Sequence, residues 1–472
     1  MKRIILATSL LVFLATTIYG FSIVGGKEPL GTADNGDFLR VYGTVGIKTI
    51  SPAWESRPYF EATRRYKRFV EWGESPHTPR GAHTWVVSLF VKVSTLAHRL
   101  IHPTQPTFDL SYTGILYYLT AVFAVLVSLR LGFRPWKAAA ASLLLLGFSD
   151  PEHIVFYNSL YSEPMAFLCL FGATLGIVVV EGRWKWPWTG FFLMALSLIK
   201  PQFMASALFF TICLVAHDLF IERKLLWKKW TPWILISVLA LLQDQIYPIP
   251  DRKISDSHHR YHGLFMGLLS HTDAETTERV LKRFDLDPKL SKYQMKFYYT
   301  LTREEHNELF EPPKIMFSLF RYVAVQMTEP VIRKWSLDYV FGSMRQKARY
   351  FGNYPEGSQS KEVFYAPKGP WPSALREGFL DFGWTAFFGW GFLLLLMARR
   401  EHRELDLSLF FLMVFALTMA EISYVGNGVQ DMNRHVESSR FALDLALILT
   451  AVKIALTVQD QFKGKAKKSR RR

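Results

Sequence analysis

The sequence predicts an all-α polytopic membrane protein, and three observations carry that reading. Half of the 472 residues are hydrophobic, far more than a soluble chain of this length needs for its cores. The apolar residues are gathered into runs, at 1–24, 110–129, 138–148, 165–180, 188–199, 203–220, 232–247, 374–397, 407–424 and 441–458. The cations fall between those runs: 56 Lys plus Arg against 40 Asp plus Glu give a net charge of +16. In a membrane protein such an excess collects in cytoplasmic loops, so it does not mark a nucleic-acid partner. About ten transmembrane helices are expected, embedded in a lipid bilayer.

The first run begins with Lys2 and Arg3 and continues for about 20 mostly apolar residues, enough to span hydrocarbon as a helix. It is long for a signal-peptide core and no Ala-x-Ala site follows, so an uncleaved first helix is expected. The positive-inside rule puts Lys2 and Arg3 in the cytoplasm. Alternation then places Arg130, Arg134 and Lys137, Arg183 and Lys185, Arg223 to Lys229, Arg399 to Arg403 and the basic tail 461–472 on the same side. Both termini are cytoplasmic in this reading, in a multi-pass protein of the cell (inner) membrane.

The chain divides into an N-terminal membrane module, 1–247, an extracytoplasmic helical loop domain, 248–371, and C-terminal membrane helices, 372–460. The first outer loop, 25–109, carries two amphipathic stretches. Tyr59, Phe60, Thr63, Tyr66, Phe69 and Val70 recur at helical spacing opposite Arg64, Arg65, Lys67 and Arg68, predicting a helix lying on the membrane. Trp85, Leu89, Val93, Leu96 and Leu100 repeat similarly, with Lys92, His98 and Arg99 arguing against a full span.

Near the start of that loop Asp34 and Asp37 flank Gly36. They are the candidate catalytic carboxylates. Turn formation by Asp34, or N-capping of a helix beginning near Phe38 by Asp37, is the competing structural role.

The third, fourth and fifth runs have about 11, 16 and 12 residues, and at 1.5 Å per residue the shortest covers little more than half of a hydrocarbon core. Such segments are tolerated only where protein covers them or they line a wet cavity, so they predict a polar pocket opening outward. Asp150, Glu152, His153, Tyr161, Glu163, Lys200 and Gln202 fall at their outer ends as cavity-lining candidates. Later outer segments add His259, Arg260 and His262, then Arg434 and His435. A carboxylate base with surrounding cations suits group transfer from a lipid phosphate to a hydroxyl, with Lys200, His259, Arg260, His262, Arg434 and His435 as the groups to meet donor phosphate or substrate. The histidine spacing matches no metal-ligand motif. Cys169 and Cys213 lie inside apolar runs and suggest neither disulfide nor metal site.

Four segments carry a resemblance: Ala33 to Arg40, Phe156 to Pro164, Lys200-Pro201-Gln202 and Tyr261 to Gly267. With the acidic first outer loop, short middle helices and large later loop, they resemble GT-C class membrane glycosyltransferases using polyprenyl-phosphate sugars, closest to bacterial hexose transferases of glycan biosynthesis. The resemblance implies inversion at the anomeric carbon, with Asp37, or else Asp34, as base. It implies a polyprenyl-phosphate sugar donor and a glycan acceptor, and no cofactor, although a divalent metal would enter if the donor were a lipid diphosphate. A lipid-diphosphate glycan ligase and a transporter or flippase of lipid-linked glycans are the rival readings.

Overall fold

The computed structural model describes residues 2–26, 31, 41, 44–48, 69–73, 85–223, 226–246, 258–310, 319–345, 349–351, 362–364, 371–398, 402–429 and 432–469. Its helices are, in chain order, α1 (Lys2–Val24), α2 (Trp85–Ile101), α3 (Ser111–Leu131), α4 (Pro135–Phe148), α5 (Pro151–Ile154), α6 (Glu163–Val178), α7 (Lys185–Ser197), α8 (Ser206–His217), α9 (Trp227–Ile246), α10 (Ala274–Arg283), α11 (Arg303–Phe310), α12 (Leu319–Thr328), α13 (Pro330–Arg345), α14 (Pro372–Leu380), α15 (Gly383–Leu396), α16 (Arg403–Asn427), α17 (Met432–His435) and α18 (Glu437–Ser469). The protein is mostly helical. By length and composition five of the described helical segments are able to cross a membrane, or six if α14 and α15, bent by 111°, form one broken span. The sequence suggests about ten. The difference lies in short apolar helices such as Pro135–Phe148, Glu163–Val178 and Lys229–Leu242, which fall below the length of an unaided span.

How a 16-residue apolar helix is accommodated is visible in α6. All of its residues are buried, so the helix touches protein on every side. It is the axis around which α3, α4, α7, α16 and α18 pack. Close approach to α7 depends on small residues: a Cβ on Gly172 would sit 2.5 Å from the Phe192 ring, and one on Gly176 2.5 Å from Thr189 Oγ1. Likewise α1 lies against α3 at Gly20, where an added Cβ would meet the Tyr118 ring at 2.0 Å. There the Tyr118 hydroxyl donates to the Thr16 carbonyl at 2.8 Å and lies 2.6 Å from Ser149 Oγ.

Two corrections concern the outer loops. A three-stranded antiparallel sheet, β1 (Ile47–Lys48), β2 (Phe69–Trp72) and β3 (Thr107–Asp109), occupies part of it, and a two-stranded ribbon, β4 (Arg349–Phe351) with β5 (Glu362–Phe364), lies in the later one, so the chain is not purely α. Phe69 and Val70, read from their spacing as the end of an amphipathic helix, are strand residues opposite Asp109 and Phe108. Cross-strand pairing decides their state, and spacing along one strand does not report it. Residues 59–68 lie outside the described residues. The second amphipathic stretch is α2, with Trp85, Leu89, Val93, Leu96 and Leu100 exposed while Val87, Val91, Ser94 and His98 are buried. An apolar stripe turned away from the protein is what a helix at a membrane surface presents.

Between α9 and α14 a second core forms from Tyr261, Leu264, Phe265, Val280, Leu281, Tyr293, Leu309, Tyr322 and Ile332. This small helical domain rests on the end of α16 through the wide-turned segment His262–Leu268. The Val429 N–H donates to the Met266 carbonyl at 2.9 Å, and the Tyr424 hydroxyl to the Gly267 carbonyl at 3.0 Å.

Candidate active site

The helices run back and forth between two ends of the membrane body, and every candidate site residue the structure describes lies at one of them. The opposite end carries Arg134, Lys185, Lys229 and Arg403, joined by the ion pairs Arg134–Glu181 at 2.9 Å, Lys185–Glu404 at 3.3 Å and Lys229–Asp218 at 2.7 Å. Near it His402 meets Asp460 at 3.0 Å, so the later part of α18 shares that end. The basic loops that alternation assigns to one side are therefore on one side. Asp34 and Asp37 lie outside the described residues, but the chain flanking them is anchored: Val24, Val41 and Ile47 are buried in the main core.

Lys200, on the turn after α7, and Glu163, the first residue of α6, are brought together. The Lys200 ammonium donates to Glu163 Oε1 at 2.6 Å, and Ser162 Oγ donates to Glu163 Oε2 at 3.2 Å. Glu163 is 3 % exposed and Lys200 somewhat more open, so the pair has its cation towards the rim. Tyr161 is buried next to them, its N–H donating to Ser159 Oγ at 3.3 Å, and Gln202 is half-buried on the turn that follows.

Asp150, Glu152 and His153 belong to an enclosed charge network. Asp150 begins α5, accepting from the Glu152 N–H at 3.0 Å, and its other oxygen accepts from the Ser373 N–H at 3.0 Å, so one carboxylate caps both α5 and α14. Burial pushes the Asp150 carboxyl up to about 6. Arg376 of α14 donates to Glu152 Oε2 and to Asp444 Oδ2, each at 2.6 Å, and His153 Nε2 donates to the same Asp444 oxygen at 2.8 Å. Arg440 pairs with Glu437, gives two hydrogen bonds to the Ser343 carbonyl, and comes within 3.7 Å of Glu152 Oε1. These side chains are at most 1 % exposed. Sequence reading selects the α5 members and passes over Arg376, Glu437 and Asp444. The available signal was ionisable residues within or bordering apolar runs, which bury charge only with partners.

The histidine segment sits against the end of α16. His259 Nδ1–H donates to the Gly426 carbonyl at 3.0 Å, which sets this segment a few residues from α17, where His435 is half-buried. The side chain of Arg434 lies outside the described residues; Arg260 is half-buried on the same turn as His259. His262 is buried and its Nε2 accepts the Tyr298 N–H at 3.4 Å. The His258 ring is 4.2 Å from that of His262 and 4.7 Å from that of Tyr298. Burial lowers His258 to about 4 and His262 to about 3, the neighbouring histidines adding to the shift, so both rings are neutral near pH 7. His262 thus acts there as an acceptor. Among the described residues no group of three or more His, Cys, Asp or Glu is arranged to hold a metal ion.

No curated protein and no solved structure matches the chain. A family model does match, over residues 1–472, and on that match the chain belongs to the family described as the YfdI N-terminal transmembrane domain.

Proposed function

We propose that this chain is an inverting GT-C-type glycosyltransferase that moves a hexose from a polyprenyl-phosphate donor to a glycan or lipid-linked acceptor on the extracytoplasmic face of the membrane. The observation that carries this reading is the gathering of the Glu163–Lys200 pair and the histidine segment at one end of the helical body. The buried residues that flank the Asp34/Asp37 stretch belong to the same core. In this reading α4, α6, α7 and α9 also cross the bilayer, α6 wholly covered by its neighbours, completing ten crossings. The opposite, basic end is cytoplasmic.

In the reaction the acceptor hydroxyl attacks the anomeric carbon, the bond from that carbon to the phosphate oxygen breaks, and polyprenyl phosphate leaves with the electron pair. Asp37, or Asp34, takes the hydroxyl proton. Lys200 meets the growing phosphate charge, with Arg260 and Arg434 as further cations. His259 and His435 supply hydrogen bonds to substrate, while His262, buried behind them, positions the segment through the Tyr298 N–H.

The test is transfer by the purified protein from polyprenyl-phosphate hexoses, comparing wild type with Asp37→Asn and Asp34→Asn. The base variant should lose about 10²- to 10⁴-fold in rate. Unchanged transfer in both folded variants defeats the base assignment, and activity only with a lipid-diphosphate glycan would favour a ligase. A reporter active only in the cytoplasm, fused after Lys48, should be silent; an active fusion reverses the orientation.

A further inference from the structure

Two cavities meet at His217, at the end of the molecule away from the candidate active site. One, of about 380 Å³, lies between the end of α8, α15 and α16 and is almost wholly apolar, with Phe392, Leu395, Phe410 and Met413 in its wall. The other, of about 540 Å³, is charged: Arg134, Lys185, Lys229 and Arg403 face Glu181, Asp218 and Glu404. His217 lines both. It is 8 % exposed, and its Nε2 has no hydrogen-bond partner among the described residues.

The carboxylates of the charged basin are already engaged. Glu181 meets Lys137 at 2.8 Å and Arg134 at 2.9 Å, Asp218 accepts from Lys229 at 2.7 Å and from Trp230 Nε1 at 2.8 Å, and Glu404 meets Lys185 at 3.3 Å. Cations outnumber carboxylates by four to three in the lining. Arg403 is the most loosely held, 61 % exposed and no closer than 3.9 Å to Glu222 or Glu404. A cationic basin that shares the His217 wall with an apolar slot has the form of an amphiphile with an anionic head.

We propose that the joined cavities hold one anionic phospholipid of the surrounding membrane, its phosphate facing Arg403, Lys185 and the Nε2–H of His217, and one acyl chain lying between α15 and α16. The apolar slot runs along α16 from Asp406 to Leu417, about 16 Å at the helical rise, which suits an acyl chain and is short for a polyprenyl tail. A His217 ring carrying its proton on Nε2, which has no partner among the described residues, gains a phosphate oxygen as acceptor. The site stands independently of the transfer reaction.

Native mass spectrometry of the full chain in mild detergent tests this, with phosphatidylglycerol, phosphatidylcholine and polyprenyl phosphate offered in turn. Phosphatidylglycerol should be retained about tenfold or more over phosphatidylcholine. Arg403→Gln should cut that retention about tenfold with thermal stability unchanged, since a charge-assisted contact is lost from an exposed side chain. Gly391→Leu should cut it as well, because a Cβ there meets only Met413 Cε, at 3.4 Å, and the new side chain enters the slot. Equal retention of the two phospholipids, unchanged retention in Arg403→Gln, or displacement of phosphatidylglycerol by polyprenyl phosphate overturns the proposal. Should Gly391→Leu fail to fold, Arg403→Gln decides.

Discussion

Arg376→Met is the perturbation whose outcome the structure specifies most closely. The guanidinium is 1 % exposed and lies 2.6 Å from Glu152 Oε2 and 2.6 Å from Asp444 Oδ2, two carboxylates that are themselves fully buried. Methionine fits the space but neutralises neither acid. Removing one partner of a buried pair typically costs about 3–5 kcal/mol, most of it the penalty of leaving the other charge unpaired. His153, 2.8 Å from the same Asp444 oxygen, can take up part of that charge, and Arg440 lies 3.7 Å from Glu152, so the lower end of the range, about 3 kcal/mol, is expected. If unpaired charge is the cause, adding Glu152→Gln and Asp444→Asn to Arg376→Met should recover most of the loss. Reversible unfolding in mixed micelles, followed by tryptophan fluorescence, measures both variants. A single variant that loses less than about 1 kcal/mol, or a triple variant no more stable than the single, would refute the assignment of this network as an electrostatic brace between α5, α14 and α18.

Three further outcomes follow from the same geometry. Lys200→Met should abolish hexose transfer and lower stability by about 2 kcal/mol by stranding Glu163; adding Glu163→Gln should restore stability but not transfer, and transfer restored by the double variant would make the pair purely structural. The low values of His258 and His262, about 4 and about 3 against an ordinary 6.5, mean that the unfolded chain binds more protons between those limits. Stability of the helical outer domain should therefore be intact above about pH 6.5 and decline as the pH falls towards 4, read as melting temperature; a flat profile in that window would contradict the burial of these rings. Gly428, at φ +59°, lies where an added Cβ would be 2.5 Å from the Met266 carbonyl carbon, so Gly428→Ala should loosen the joint between α16 and the outer domain by about 2 kcal/mol, visible as faster proteolysis within 258–345.

What could be read without coordinates was what depends on neighbours along the chain. The stripe from Trp85 to Leu100 is one helix face, as the spacing predicts, and the structure adds that all five of its apolar residues are exposed. The basic loops follow apolar runs at alternate exits, and they share one end of the molecule because an antiparallel helical path returns every second turn to the same side. Apolar length likewise identified the membrane character and flagged the short central segments as requiring cover, which α6 receives from five helices. Membership of the family now rests on a match over 1–472.

Partner choice was not legible, because it joins residues far apart in sequence. Glu152 meets Arg376 across 224 positions, and His153 meets Asp444 across 291. Nothing in local periodicity distinguishes those pairs from an open, charge-lined cavity, and Asp150, read as edging one, instead caps two helices. Phe69 and Val70 show the same limit, since strand pairing with Phe108 and Asp109 overrode a helical pattern. Apolar patterning by itself thus determined a polytopic, mostly helical membrane protein, because it acts within a few turns of chain. Only the tertiary structure decided which buried charges neutralise one another and where Lys200 finds Glu163, because desolvated charges are stable only in contact, and contact is a property of the fold.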